Sequence, residues 1–258
     1  MRLLLISLSL LLAIPNFFHT TLETKPLYDH KEKFDPSLSA IDNVEKLIDV
    51  ADREAVKKGI TQGSLQYGVH VAILLRNRFY HGFSLYPMNE NWIATTAQRI
   101  FGSGLASIVN PDDILKYSYG GCSQQTIVLM EVMKRKNIPY RSVGFPHHYA
   151  SELNFGGNWF FFDPNMEPTI SDSQRIESNW KKSVDSLKKY YDTSRFKDLD
   201  WKFGKNLQVK IGKENVQPAP KAMLFQNISR VLSKTIWIIP LMLAFKKRRK
   251  IYNKDVSL

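Results

Sequence analysis

The hydrophobic period of this chain changes once, near Tyr140, and that change limits its possible folds more than any other feature. Before it, Ile41, Val44, Leu47, Ile48, Ala51 and Ala55 recur at helical spacing, with Ser39 as a candidate N-cap and Gly59 as a stop. A second helical pattern covers 65–79, and a third starts near Glu90 with Trp92, Ile93, Ala97 and Ile100 on one face. Beyond Tyr140 the period becomes two, predicting strands over 140–143, 148–154 and 159–163, the last two joined at Gly156-Gly157. Helices leading into an antiparallel sheet predict an α+β fold. Further on, 180–191 reads as an amphipathic helix, and Leu207, Val209 and Ile211 alternate as a late strand.

The two ends differ from this body. Residues 3–14 carry no charge and follow Met1-Arg2, which reads as an export signal or a retained N-terminal membrane anchor. At the other end TIWIIPLMLAF runs over 235–245 and is followed at once by KKRRK. Taken back to Ile228 it is long enough for a short span or an interfacial helix, and QPAP at 217–220 makes a linker before it. The expected organisation is therefore 1–19 as signal or anchor, 20–216 as one domain and 217–258 as linker, membrane-proximal segment and basic tail. If both ends insert, the positive-inside rule leaves the domain between them exported, extracytoplasmic and membrane-anchored.

Charge and cysteine content exclude other classes. Of the net +12, the last thirteen residues hold +5, so the body lacks the basic face or the aromatic interleaving that nucleic-acid binding needs. A single cysteine, Cys122, excludes an intramolecular disulfide framework and a cysteine zinc cluster.

The chemistry concentrates in 43 residues. Gly120-Gly121-Cys122 leads into the helical pattern SQQTIVLMEVMKRK, which Asn137 and Pro139 end, so Cys122 sits at a helix N-terminus. There the helix dipole and the free backbone N–H groups favour a thiolate, and the thiolate is the nucleophile. His148 and Asp163, on neighbouring strands of the following hairpin, supply a base and a group to orient it. His147, one residue away on the strand, competes for the base but should face the other way. The backbone N–H of Cys122 is the first candidate oxyanion donor, with the side chain of Gln124 as a second. Glu152 shares a strand face with His148, either as a supporting acceptor or as a solvated acid.

These residues resemble the transglutaminase-like superfamily of cysteine enzymes. That family carries Gly-x-Cys at a helix start, an Ile-Pro-x-Arg exit, His-x-Trp-x-Glu on one strand and Gly-x-Trp then Asp-Pro on the next. Here stand Gly120-Gly121-Cys122, Ile138-Pro139-Tyr140-Arg141, His148-Tyr149-Ala150-Ser151-Glu152, Gly157-Asn158-Trp159 and Asp163-Pro164. The stretch Asn110-Pro111-Asp112-Asp113 is similar to the family's lead-in, and the likeness covers about residues 90–168. Ala150 replaces the usual Trp, Asn137 replaces a glycine, and 141–144 is one residue shorter than the common form. The resemblance implies a papain-like core with Cys122 as nucleophile, His148 as base and acid, and Asp163 orienting the imidazole, and, from an upstream Trp in some relatives, the Trp92 indole as the alternative second oxyanion donor. Some members of the family bind calcium, but no matching acidic loop stands in this sequence, so no cofactor and no metal is expected. The resemblance also implies an amide substrate in a protein, a peptide or the cell envelope, whose acyl group passes to an amine or to water. The other class to weigh is a membrane-tethered binding or assembly module that keeps the fold without turnover.

Overall fold

The computed structural model describes residues 1–21, 25–30, 32–102, 104–182, 184–192, 198–204 and 209–246. In chain order the elements are α1 (Arg2–Ala13), α2 (Val44–Lys57), α3 (Leu65–Arg78), β1 (Tyr80–His81), α4 (Met88–Phe101), α5 (Pro111–Ile114), β2 (Tyr119–Gly120) and α6 (Cys122–Arg135). There follow β3 (Tyr140–Gly144), β4 (Tyr149–Phe155), β5 (Asn158–Phe162), α7 (Asp172–Arg175), α8 (Glu177–Trp180) and α9 (Val184–Lys188). The last are α10 (Leu199–Phe203), β6 (Lys210–Ile211), α11 (Pro220–Thr235) and α12 (Ile238–Phe245). The chain is thus α+β, and it divides into two compact units: Met1–Leu22 with Tyr86–Ala106 and Phe225–Leu258, and Glu23–Leu85 with Ser107–Leu224.

The second unit holds the sheet. Its strands run in the order β5-β4-β3-β6, all antiparallel. The β4–β5 hairpin pairs Asn154 with Trp159 and Phe155 with Asn158, leaving Gly156 and Gly157 as a two-residue turn. Both glycines have positive φ, 58° and 83°, the conformation that a tight hairpin of this kind requires. Helix α6 packs on β3 and β4 and on α2, α3 and α5. The start of α2 is capped by Asn43, whose side chain accepts from the Lys46 N–H at 2.9 Å, so the cap is four residues later than Ser39. A hydrophobic core lies around Phe145, Ala150, Phe161, Trp180, Tyr191 and Phe203. The expected helix over 180–191 is broken up: α8 ends at Trp180 and α9 covers only Val184–Lys188. The late strand reduces to Lys210–Ile211 paired with Gly144 and Val143, and Leu207 lies outside the described residues.

The first unit gathers α1, α4, α12 and the part of α11 from Phe225 on, with α1 packed on α12. Residues 86–106, read from the sequence as part of a 20–216 domain, belong to this unit. Helix α4 kinks at Asn91 (φ −151°, ψ 71°), and its buried face is Asn91, Ala94 and Thr95 rather than the expected stripe, with Ile100 67% exposed. The reason is polar: the Asn91 carboxamide donates to the Ser229 hydroxyl at 2.9 Å and accepts from the Ala94 N–H at 3.2 Å. Helices α11 and α12 make one apolar stretch, Pro220–Phe245, long and apolar enough to cross a membrane.

Candidate active site

Cys122 is the first residue of α6, where backbone N–H groups lack intrahelical partners. Two contacts tie this end of the helix to the start of β4. The Thr126 hydroxyl, one turn on, donates to the Tyr149 carbonyl at 3.2 Å, and a backbone hydrogen bond from Tyr149 reaches the Cys122 sulfur. His148 precedes Tyr149, so the same contacts that seat α6 on β4 bring the imidazole to the thiol.

Pairing of Ser151 with Phe162 fixes the register that alternation alone left open. One step further along the ladder, Asp163 falls opposite Ala150, and His148 lies two residues away on the same side, the diagonal relation across which longer side chains reach. His148 Nε2 and Asp163 Oδ2 are 2.7 Å apart, with both side chains wholly buried. The remaining ring nitrogen, Nδ1, is buried and has no hydrogen-bond partner, which leaves it available to a neighbouring thiol. Phe145 stacks on the imidazole and Phe203 tilts against it.

Electrostatics follow from this arrangement. Burial pushes the Cys122 thiol up, but the neighbouring His148 imidazole outweighs it, and the thiol ends below its ordinary value. For His148 burial acts downward, and the Asp163 carboxylate and the thiol reverse it, raising the imidazole to about 9. The two shifts run in the same sense, each favouring the thiolate on Cys122 together with the imidazolium on His148.

Asp163 is itself held on all sides. Its Oδ2 also accepts from the Tyr191 hydroxyl at 2.9 Å, and Oδ1 accepts from the N–H groups of Asn165 and Met166 at 3.2 and 3.1 Å. Its own N–H donates to Glu167 at 2.9 Å, and Glu167 pairs with Arg175 at 2.6 Å, deep in the unit. The Tyr191 bond to Asp163 had no local signal in the sequence, because it comes from 28 residues along the chain. His81 was missed for the same reason. It pairs with Gly120 in the short parallel β1–β2 ribbon, its ring is 3.5 Å from Asn165, and crowding together with the charges of Lys202 and His148 lowers it to about 4.

The other sequence candidates find different employment. Gln124 spends both ends of its amide: Nε2 donates to the carbonyls of Ser84 and Ile108, and Oε1 accepts from the N–H groups of Ser84 and Gly121. It pins three chain segments beside Cys122 and has no N–H left for an oxyanion. The Trp92 indole likewise donates to the Ser233 carbonyl at 2.9 Å, within the first unit. Glu152 is fully buried and bonds Arg141 at 2.7 Å and the Trp180 indole at 2.9 Å, so it is a structural ion pair and neither a solvated acid nor a partner of His148. His147 stacks flat on Trp201 at 4.2 Å, exposed and turned away from the buried pair. Ala150 is fully buried in the core around Phe145 and Phe161, so it lines no open wall beside His148. Gly121 lies under the half-exposed Phe83 ring: a Cβ there would come within 2.5 Å of it, so only glycine lets this ring cover the helix start.

Among the described residues no cluster of His, Cys, Asp and Glu could hold a metal ion. No family model, no curated protein and no solved structure matches this chain.

Proposed function

We propose that this chain is a membrane-anchored cysteine enzyme with a papain-like, transglutaminase-like core that transfers or hydrolyses the acyl group of an amide. The observation that carries this reading is the buried 2.7 Å His148–Asp163 bond beside a thiol at the start of a helix. In the reaction, the Cys122 proton passes to His148 Nδ1 and the sulfur bonds to the amide carbonyl carbon. The oxyanion that develops is stabilised by the positive end of α6 and the Cys122 N–H. Collapse breaks the C–N bond, and His148 returns the proton to the departing amine, leaving a thioester. An amine or water, deprotonated by His148, then attacks the thioester; the acyl product leaves and the thiol is restored. Asp163 holds Nε2–H throughout, which keeps Nδ1 as the basic nitrogen and stabilises the imidazolium.

The substrate is an amide of a protein, a peptide or the cell envelope. Pro220–Phe245 is long and apolar enough to cross a membrane, and KKRRK follows it. With Arg2 and that run on the cytoplasmic side, the catalytic unit is exported and extracytoplasmic. The test is intact mass after exposure to an electrophilic amide-mimic probe, on the wild type and on Cys122→Ala. One adduct on the wild type and none on the variant is expected; a wild type that takes up no probe refutes turnover and leaves a binding module.

A further inference from the structure

The first unit is inside out for a protein folded in water. Its interior holds Ser9, Asn91, Gln226, Ser229 and Ser233, none more than 3% exposed. Its surface holds Leu3, Leu11, Ile100, Phe101, Val231 and Met242, none less than 62% exposed. On α11 the inversion is plain, because Gln226, Ser229 and Ser233 lie at i, i+3 and i+7 and form one stripe. That stripe faces inward: Ser233 donates to the Asn91 carboxamide at 3.2 Å and accepts from the Ile93 N–H at 3.1 Å, while Gln226 donates to the Leu105 carbonyl at 3.2 Å. A surface helix in water turns its apolar stripe inward. In a bilayer apolar packing gives no advantage over lipid contact, so polar and small residues join the helices and apolar faces point out.

The N-terminal helix is built into this arrangement. The Ser9 hydroxyl donates to the Trp237 carbonyl at 2.6 Å, between α11 and α12, and the segment after α1 packs on α4. Met88 N–H donates to the Thr20 carbonyl at 2.8 Å. With Ser9 fixed at the head of α12, the four residues left in α1 are too few to match the eight of α12, so the pairing runs from Ser9 back toward Arg2. Arg2 and Lys246 then come to the same end, beside the rest of the basic run in the sequence.

We infer that Met1–Leu22, Tyr86–Ala106 and the segment from Phe225 to Lys246 form one lipid-embedded anchor, in which α1 is a retained member and 86–106 is a loop of the enzyme that dips into the bilayer. This rests on the membrane-anchored reading above and adds two claims to it: the leader is not removed, and the middle of the chain touches lipid. The occupant of the apolar positions is the bilayer rather than a second copy, because exposed apolar side chains occur on all four helices, α1, α4, α11 and α12, and Arg2 and Lys246 supply positive charge suited to anionic headgroups.

The full chain, expressed with an export pathway and reconstituted in phosphatidylcholine–phosphatidylglycerol vesicles, is irradiated with a phosphatidylcholine carrying a diazirine in its acyl chain. Peptide mass mapping should find adducts in all three segments, including 86–106, and the intact mass should count from Met1. Ile100→Glu with Phe101→Glu, both at exposed positions, should cut the adducts in 86–106 severalfold and leave Cys122 labelling unchanged. An N-terminus beginning near His19 overturns the retained helix. Adducts confined to 225–246, or a yield in 86–106 that ignores the glutamates, overturn the dipping loop. A chain that stays in solution as a dimer without lipid overturns the anchor as a whole. Cys122 labelling on the same samples reports the catalytic reading separately.

Discussion

Replacing Asp163 by Asn removes one charge and almost no volume, and the surroundings leave the new amide no comfortable orientation. With its oxygen toward His148 and Tyr191, its NH2 faces the N–H groups of Asn165 and Met166, donor against donor. With the amide reversed, the NH2 faces Nε2 and forces the imidazole into the other tautomer, with the proton on Nδ1 toward the thiol. Either way a buried donor goes unpaired, at a cost of roughly 1–3 kcal/mol of stability. The loss of charge weighs more on the chemistry. The rise of His148 from 6.5 to about 9 corresponds to roughly 3 kcal/mol at about 1.4 kcal/mol per pKa unit. Asp163 supplies the leading part of it, so the thiolate–imidazolium pair at neutral pH should weaken by up to about a hundredfold. The assay is the second-order rate of iodoacetamide labelling at neutral pH, with circular dichroism and thermal melting on the same preparations. A variant that folds, labels at the wild-type rate and keeps the wild-type pH profile would refute the assigned role of Asp163.

Three further changes probe the supports. Tyr191→Phe deletes one buried donor to Asp163 and should lower stability by about 1–2 kcal/mol and slow labelling severalfold; an unchanged melt and rate would show that the 2.9 Å bond does not hold the carboxylate. Gln124→Ala frees the segments at Ser84, Ile108 and Gly121, which should cost about 2–3 kcal/mol in denaturant unfolding through the buried groups left unpaired; a loss confined to activity, with full stability, would return Gln124 to the oxyanion role. Arg141→Met strands the buried Glu152 carboxylate and should cost about 3–5 kcal/mol, and adding Glu152→Gln should recover most of it, whereas additive losses would mean that the pair is not coupled.

Legibility in the sequence followed the range of the interactions. The switch of period near Tyr140, the Gly156-Gly157 turn and the start of α6 at Cys122 are set by neighbours in the chain, and all three stand where the pattern put them. Asn137, with φ 57°, ends the helix in the left-handed region expected of it. The face of α4 was misread because periodicity finds an apolar stripe but not what covers it. Trp92, Ile93, Ala97 and Ile100 have the spacing of a core face, yet the kink at Asn91 and the polar stripe of α11 decide which side is buried. Within the site, residue type and spacing brought out Cys122, His148 and Asp163. The residues around them escaped because their roles are made by distant segments: Tyr191 on Asp163, Phe83 over Gly121, and the carbonyls that claim Gln124. Gln124 was a candidate donor by its chemistry and Trp92 by the family resemblance, and nothing local reveals that an N–H is already spent.

The pH dependence of Cys122 alkylation, with and without His148, tests the central claim most directly. His148 is more basic folded than free, so its contribution to the ion pair is fully present below about 6.5 and is lost as pH rises through about 9. The thiol, lowered by the same pair, should therefore react well below the pH at which a free thiol ionises, giving a plateau on the acid side that His148→Ala abolishes. A wild-type profile that rises only with ordinary thiol ionisation, and that His148→Ala leaves in place, would contradict the account and make Cys122 a plain thiol beside an unrelated histidine.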